Sequence, residues 1–310
     1  MRFGLILATL FPLLVSAAPT TTASNGSALR TAAPPEVKPE DLQPKHVSLP
    51  PPSSDQQIKI LDAARNYATD YVHKLPDFVC LEQIRRYRDP SGNNAWQLED
   101  VVTAQLSYFD QKEEYKLVSQ NGRAVANQPY AAVSGAYSMG DFGTTMNAIF
   151  DSATHAGFVW KRAVILNGRP MHVFSFRVPV EFSKFIIEYR GDEEKHDLQR
   201  VKVAYRGSVF VDQELNTVVR IVREAVSIEP AFPVKQAEQT LDYDFTQLGD
   251  RKFFLPRVAS LQMRSRGGML TKNVKEFGSY QKFSADAVLK FDDQEPTPQT
   301  GANNKALPPK

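Results

Sequence analysis

The chain has 310 residues, 42% of them hydrophobic and 23% charged, so it is too apolar to be disordered throughout and long enough to bury a core. Its 37 Lys and Arg nearly balance 35 Asp and Glu, and a net charge of +2 gives no bulk attraction to nucleic acid or anionic lipid. A single cysteine, Cys80, excludes an intrachain disulfide and a cysteine-based zinc site.

Residues 1–17, MRFGLILATLFPLLVSA, read as an export signal, with Arg2, an apolar run and small residues at Ser16 and Ala17 before a cleavage point. The run is shorter than the roughly 20 residues that span a bilayer. No cysteine follows it to carry a lipid anchor. The expectation is export to the periplasm or beyond the cell, with no transmembrane segment once the signal is removed. Residues 18–53 are rich in Pro, Ala, Ser and Thr and close with LPPPSS, the composition of a disordered arm that tethers or docks an envelope protein partner. Residues 54–290 read as one β-rich domain with a leading helix, and 291–310 as a polar, disordered tail.

Ile58, Leu61, Ala64, Ala68, Tyr71 and Val72 recur at spacings of three and four, which predicts a helix over 55–74 capped by Ser54 or Asp55 and stopped by Pro76. Strands follow over 78–88, 95–109, 113–119, 159–166, 171–178, 182–190, 200–211, 218–228, 236–247, 253–265 and 273–283. Tight turns such as Asn121-Gly122 and Asn167-Gly168 join some of them, and connections this short mean antiparallel pairing. Thr144 or Thr145 can cap a short helix over 146–152. The predicted fold is mainly β: a curved antiparallel sheet or half-open β-barrel, with an N-terminal helix and a short mid-chain helix packed on it. A sheet of about ten strands tends to curl. A transmembrane barrel would show a lipid-facing apolar band on each strand, whereas FSKFIIEYR (182–190) is apolar on both faces.

Alternation sets the faces. Val203, Tyr205, Val209 and Val211 alternate with Arg206 and Ser208; Leu241, Tyr243 and Phe245 alternate with Asp242 and Asp244; Ala259, Leu261 and Met263 alternate with Ser260, Gln262 and Arg264. One face is therefore apolar and the other wet, with Asp242 and Asp244 solvated. A helix laid on the concave face covers only part of it, leaving a cavity. Leu61, Tyr71, Phe174, Phe176, Tyr205, Val209, Tyr243 and Phe245 are the predicted lining.

Chemistry beyond binding finds no support. His46, His73, His155, His172 and His196 include no pair at metal-binding spacing, so no metal or cofactor is expected. His172 shares a strand face with Phe174 and Phe176, as a satisfied, partly buried histidine does. Ser138 in GAYSMG lacks the spacing of a nucleophile elbow. Gly140 and Gly143 precede a helix without the lysine of a phosphate loop. Arg85, Arg86, Arg88, Lys161, Arg162, Arg200, Lys202, Arg206, Arg220 and Arg223 read as a solvated face, because an exported chain with balanced charge has no use for a nucleic-acid groove. Cys80, within FVCLEQI, reads as a buried and inert thiol.

The segment YRGSVFVDQELNTVVRIVREA, then LDYDF and FFLPRVASLQM, resembles the later hairpins of bacterial lipoprotein-carrier half-barrels over roughly residues 200–265. Phe78, Val79, Cys80 and Gln83 after a first helix resemble the start of secreted bacterial proteins of unknown function. The first resemblance implies an incomplete antiparallel barrel plugged by helices, binding a lipid or lipoprotein acyl chain without catalysis. The chain departs from those carriers in its long arm and in an extra region over 121–156. The alternative from residues alone is an envelope interaction module held by its proline-rich arm, with an exported hydrolase behind both.

Overall fold

The structure is a computed structural model that describes residues 43–125, 135–136, 141–190 and 198–283. Helix α1 (Ser54–Lys74) starts one residue earlier than its periodicity predicts, because Ser53 and Gln56 close a reciprocal capping box. It ends in extended backbone at Leu75, as the residue before a proline favours. Its stripe buries Ala64, Ala68 and Tyr71, while Ile58 stays exposed. Helix α2 (Thr144–Phe150) is capped by Gly143 rather than by a threonine side chain. Gly143 has φ +100°, and a Cβ there would lie 2.8 Å from the Tyr71 ring, so this glycine lets α2 start against α1.

The strands are β1 (Lys45–Val47), β2 (Phe78–Asp89), β3 (Gln97–Phe109), β4 (Lys112–Gln120), β5 (Arg123–Ala124), β6 (Gly135–Ala136), β7 (Gly157–Leu166), β8 (Arg169–Val178), β9 (Ile186–Arg190), β10 (Gln199–Lys202), β11 (Ala204–Asp212), β12 (Val218–Val226), β13 (Val234–Leu248), β14 (Arg251–Ser265) and β15 (Leu270–Lys282). Twelve form one antiparallel sheet in the order β1-β7-β8-β11-β12-β13-β14-β15-β2-β3-β4-β5. The last strand, β15, pairs back onto β2, so the early hairpins attach beyond the late ones. With β1 and β5 as free edges, the sheet curves without closing. A second sheet, β10-β9-β6, joins β9 and β10, from the insertion between β8 and β11, to β6, which precedes α2.

Three local expectations change. The strand predicted over 182–190 starts only at Ile186, because Pro179 opens a 3-10 turn over Val180–Phe182. The strand predicted over 200–211 breaks at Val203, whose N–H donates to the Phe185 carbonyl at 3.0 Å, and the chain changes sheets there. Lys45–Val47, inside the segment read as a disordered arm, pairs with Ala163–Ile165 and extends an otherwise open edge.

The outer face of the large sheet is not simply wet. Cross-strand ion pairs Arg206–Glu224, Arg220–Asp242 and Arg85–Glu276 lie along it, the first exposed and the other two with their carboxylates covered. Asp242, expected to be solvated, is buried, and that burial pushes its carboxyl above the usual range despite Arg220. Arg86, Arg220 and Arg223, read as part of a solvated basic face, are buried as well. Cys80 is buried with a free thiol, and desolvation pushes its pKa up.

Candidate functional site

On the inner face one row of paired residues crosses six strands from β12 to β3: Arg223, Gln239, Leu261, Asn273, Arg86 and Asp100. All six are buried, and five are polar. A polar row through the middle of an apolar sheet face costs desolvation unless its members satisfy one another. At one end Arg86 Nε donates to Asp100 Oδ1 at 2.6 Å, and Gln120 donates to Asp100 Oδ2. Burial raises Asp100, but these two partners outweigh it and hold its carboxyl below the ordinary value.

The centre is filled by Asp141, from the segment that leads into α2. Lys275 Nζ lies 3.1 Å from Asp141 Oδ2 and 2.8 Å from Glu82 Oε1, so one buried ammonium is bracketed by two buried carboxylates. Gln239 Nε2 donates to Asp141 Oδ1 at 3.3 Å, and the Tyr243 hydroxyl donates to the Asp141 carbonyl at 3.2 Å. The next N–H, that of Phe142, donates to Glu113 Oε1 at 3.1 Å. Desolvation pushes the Glu82 carboxyl up, with Lys275 opposing it. This cluster pins the entry of α2 to the sheet.

Arg223 ends the row differently. Its Nε donates to Gln239 Oε1 at 2.7 Å, and its Cζ sits 3.9 Å from the Phe185 ring centroid and 5.8 Å from that of Tyr205. Among the described residues no carboxylate forms an ion pair with it, and neither Nη group has an acceptor. Desolvation draws its pKa down to about 10, which leaves it charged at neutral pH. The Tyr205 hydroxyl is likewise buried without a hydrogen-bond partner. Gly207 faces Arg223 across the β11–β12 ladder, where a Cβ would collide with the Val222 carbonyl and come within 2.9 Å of Arg223 Cα. Glycine is what allows the two strands to approach here.

Arg223 lines a cavity of about 220 Å³ between α2, the second sheet and the floor of the large sheet. Ala148, Phe185, Ile187, Leu261 and Met263 supply buried apolar wall; Thr144 and Ile186 are exposed at its margin, beside Lys184 and Glu188. Lys184 pairs with Asp151 at 2.7 Å, and Glu188 with Arg200 at 2.7 Å.

None of the eight residues predicted to line a cavity is in the wall of this one. Tyr71, Phe174, Phe176, Tyr205, Val209 and Tyr243 are buried in the main core, and Leu61 packs against it half-buried. Tyr71 anchors α1 by donating to the Phe254 carbonyl at 2.7 Å, with its ring edge on Tyr243. Phe245 shares the face of Tyr243 but is 50% exposed, because it lies near the end of a strand against Phe254 and Arg169, past the cover of the helices. Of the eight, Tyr205 alone touches Arg223. Arg223, Glu82 and Lys275 were missed although strand parity places them with Ile221, Ile84 and Phe277, facing inwards; Asp141 carried no such signal.

His172 accepts from Trp160 Nε1 at 3.4 Å, and burial pushes its pKa down, as for a satisfied, half-buried histidine. Ser138, Gly140 and His196 lie outside the described residues. Among the described residues no group of three or more His, Cys, Asp or Glu is placed to hold a metal ion. No helix among them is long and apolar enough to cross a membrane.

No family model matches this sequence, and no curated protein does. Among solved structures, the LolA superfamily protein NE2245 from Nitrosomonas europaea matches over 74% of this chain and 96% of its own, at 12% identity and a TM-score of 0.34. A DUF1329 family protein from Desulfovibrio piger matches over 73% of this chain and 94% of its own, at 8% identity and a TM-score of 0.32.

Proposed function

We propose that the chain is an exported, noncatalytic binding or carrier protein for an apolar ligand, a lipid or lipoprotein acyl chain, held between the curved sheet and its helices. The observation that carries this reading is the cavity of about 220 Å³ with Phe185, Ile187, Leu261 and Met263 in its wall. Each methylene buried there is worth about 0.8 kcal/mol, so a few carbons give useful affinity without any energy input. The volume lies just below the roughly 300 Å³ at which small-molecule pockets begin. It therefore takes the first part of a chain, and the remainder needs α2 to shift or α1 to lift from Tyr243 and Phe254. In the second case the deeper wall is the set that includes Phe174, Phe176 and Val209.

Native mass spectrometry of the protein purified from its own host tests this directly. The expected result is an added mass matching a lipid. Ligand-free protein that also takes up no fluorescent fatty acid overturns the reading. A second reading, an interaction module docked through residues 18–53, draws on β1, which fixes Lys45–Val47 to the edge of the sheet. It predicts an envelope protein partner that is lost when residues 18–42 are deleted.

A further inference from the structure

We infer that the cavity is selective for single-chain amphiphiles with an anionic head, a carboxylate of the fatty-acid type, and that Arg223 is the residue that binds that head. This deepens the carrier reading and rests on it. Three observations converge. Arg223 lines the cavity, is 94% buried by its 6% exposure, and has only Nε satisfied. A guanidinium buried without a carboxylate costs several kcal/mol, and its two Nη groups, unlike the Tyr205 hydroxyl, are not sealed off from the cavity, so an incoming carboxylate can meet the planar fork with two parallel hydrogen bonds.

The second observation is the surroundings of the charge. Lys275 has two carboxylates within 3.1 Å, while Arg223 reaches Asp141 only through the Gln239 amide. Phe185 covers one face of the guanidinium and Tyr205, whose hydroxyl also lacks a partner, stands beside it. The third is the mouth. Its one carboxylate, Glu188, is paired with Arg200, and its one lysine, Lys184, with Asp151, so the mouth neither repels nor attracts an anion strongly and the unpaired charge is the one inside, on Arg223. The wall around this charge is apolar, which suits a chain and excludes a small, fully hydrated anion as the whole ligand.

The test measures displacement of a fluorescent naphthylamine probe from delipidated full-length protein by dodecanoate, dodecanol and dodecylammonium, each kept monomeric. The expected order is dodecanoate first, about ten- to a hundredfold tighter than dodecanol, the range of a charge-assisted hydrogen bond, with dodecylammonium weakest. Arg223→Gln should bring dodecanoate level with dodecanol and leave dodecanol unchanged, and Arg223→Lys should keep part of the preference. Equal binding of all three by the wild-type protein overturns the inference and leaves the carrier reading intact, as does a folded Arg223→Gln variant that keeps the preference. Binding of none of them overturns the carrier reading and this one together. The wild-type series needs no variant, so a failure of Arg223→Gln to fold does not remove the test.

Discussion

Two cations are buried on the inner face of the same sheet, and they are treated in opposite ways. Lys275 sits between Glu82 and Asp141, and its neighbourhood ties β15 and β2 to the segment that starts α2. Arg223, three strands away on β12, has a side-chain amide, two aromatic rings and a cavity. The first arrangement is closed and structural. The second leaves donors unanswered, and a protein holds such a charge in place only when the surrounding packing fixes it.

The contrast is broken most forcefully by Lys275→Met. It leaves two buried carboxylates without their ammonium, and the expected loss is about 3–5 kcal/mol in urea unfolding. Arg223→Met should cost less than half as much, because the charge removed was not holding a carboxylate. Equal losses would place the two cations in the same structural class. The next largest effect is expected from Gly207→Ala. Its Cβ meets the Val222 carbonyl, so β11 and β12 must part beside Arg223, at a cost of about 1–3 kcal/mol. Gly157→Ala is the control: nothing lies within 4 Å of its Cβ, and the change in urea midpoint should correspond to less than about 0.5 kcal/mol.

These residues also show what the sequence makes legible. Alternation in β11, β13 and β14 identifies the inner face correctly at Tyr205, Val209, Leu241, Tyr243, Ala259, Leu261 and Met263, all buried. The stripe of α1 identifies Ala64, Ala68 and Tyr71 as its packed side. The same parity puts Arg223 with Ile221 and Glu82 with Ile84, but a charge on an apolar face reads as an interruption until its partner is known. Those partners come from far along the chain: Asp141 meets Lys275 across 134 positions and Gln239 across 98. Local pattern carries no information at that range. Phe245 marks the converse limit, since period two assigns a face but not where helix cover ends.

Acid titration separates the carboxylate beside Lys275 from the one beside Arg86. Glu82 has its folded pKa raised, so its contribution to stability is fully present below about 4.3, the unfolded value, and is lost as pH rises through the folded value. Asp100 has its folded pKa lowered, so its contribution is present above about 3.9 and is lost as pH falls through the folded value. Urea unfolding from about pH 3 to about pH 7 should therefore show the wild-type advantage over Glu82→Gln shrinking as pH rises. The advantage over Asp100→Asn should grow. Parallel slopes would mean that Arg86 and Lys275 hold their carboxylates in equivalent ways.

The smallest effect separates two tyrosines on the same inner face. Tyr243 donates to the Asp141 carbonyl, whereas the Tyr205 hydroxyl has no partner although both rings are fully buried. Tyr243→Phe should cost about 1 kcal/mol, the ordinary net worth of one hydrogen bond, and loosen the start of α2. Tyr205→Phe removes a hydroxyl that folding leaves unanswered, so stability should stay within about 0.5 kcal/mol of wild type or rise. A clear loss for Tyr205→Phe would mean that its hydroxyl is satisfied in solution, and the wall around Arg223 would then be less starved of partners than its geometry indicates. Neutrality at Tyr205 beside a loss at Tyr243 is the pattern expected when one end of the polar row is built for the fold and the other for something that enters it.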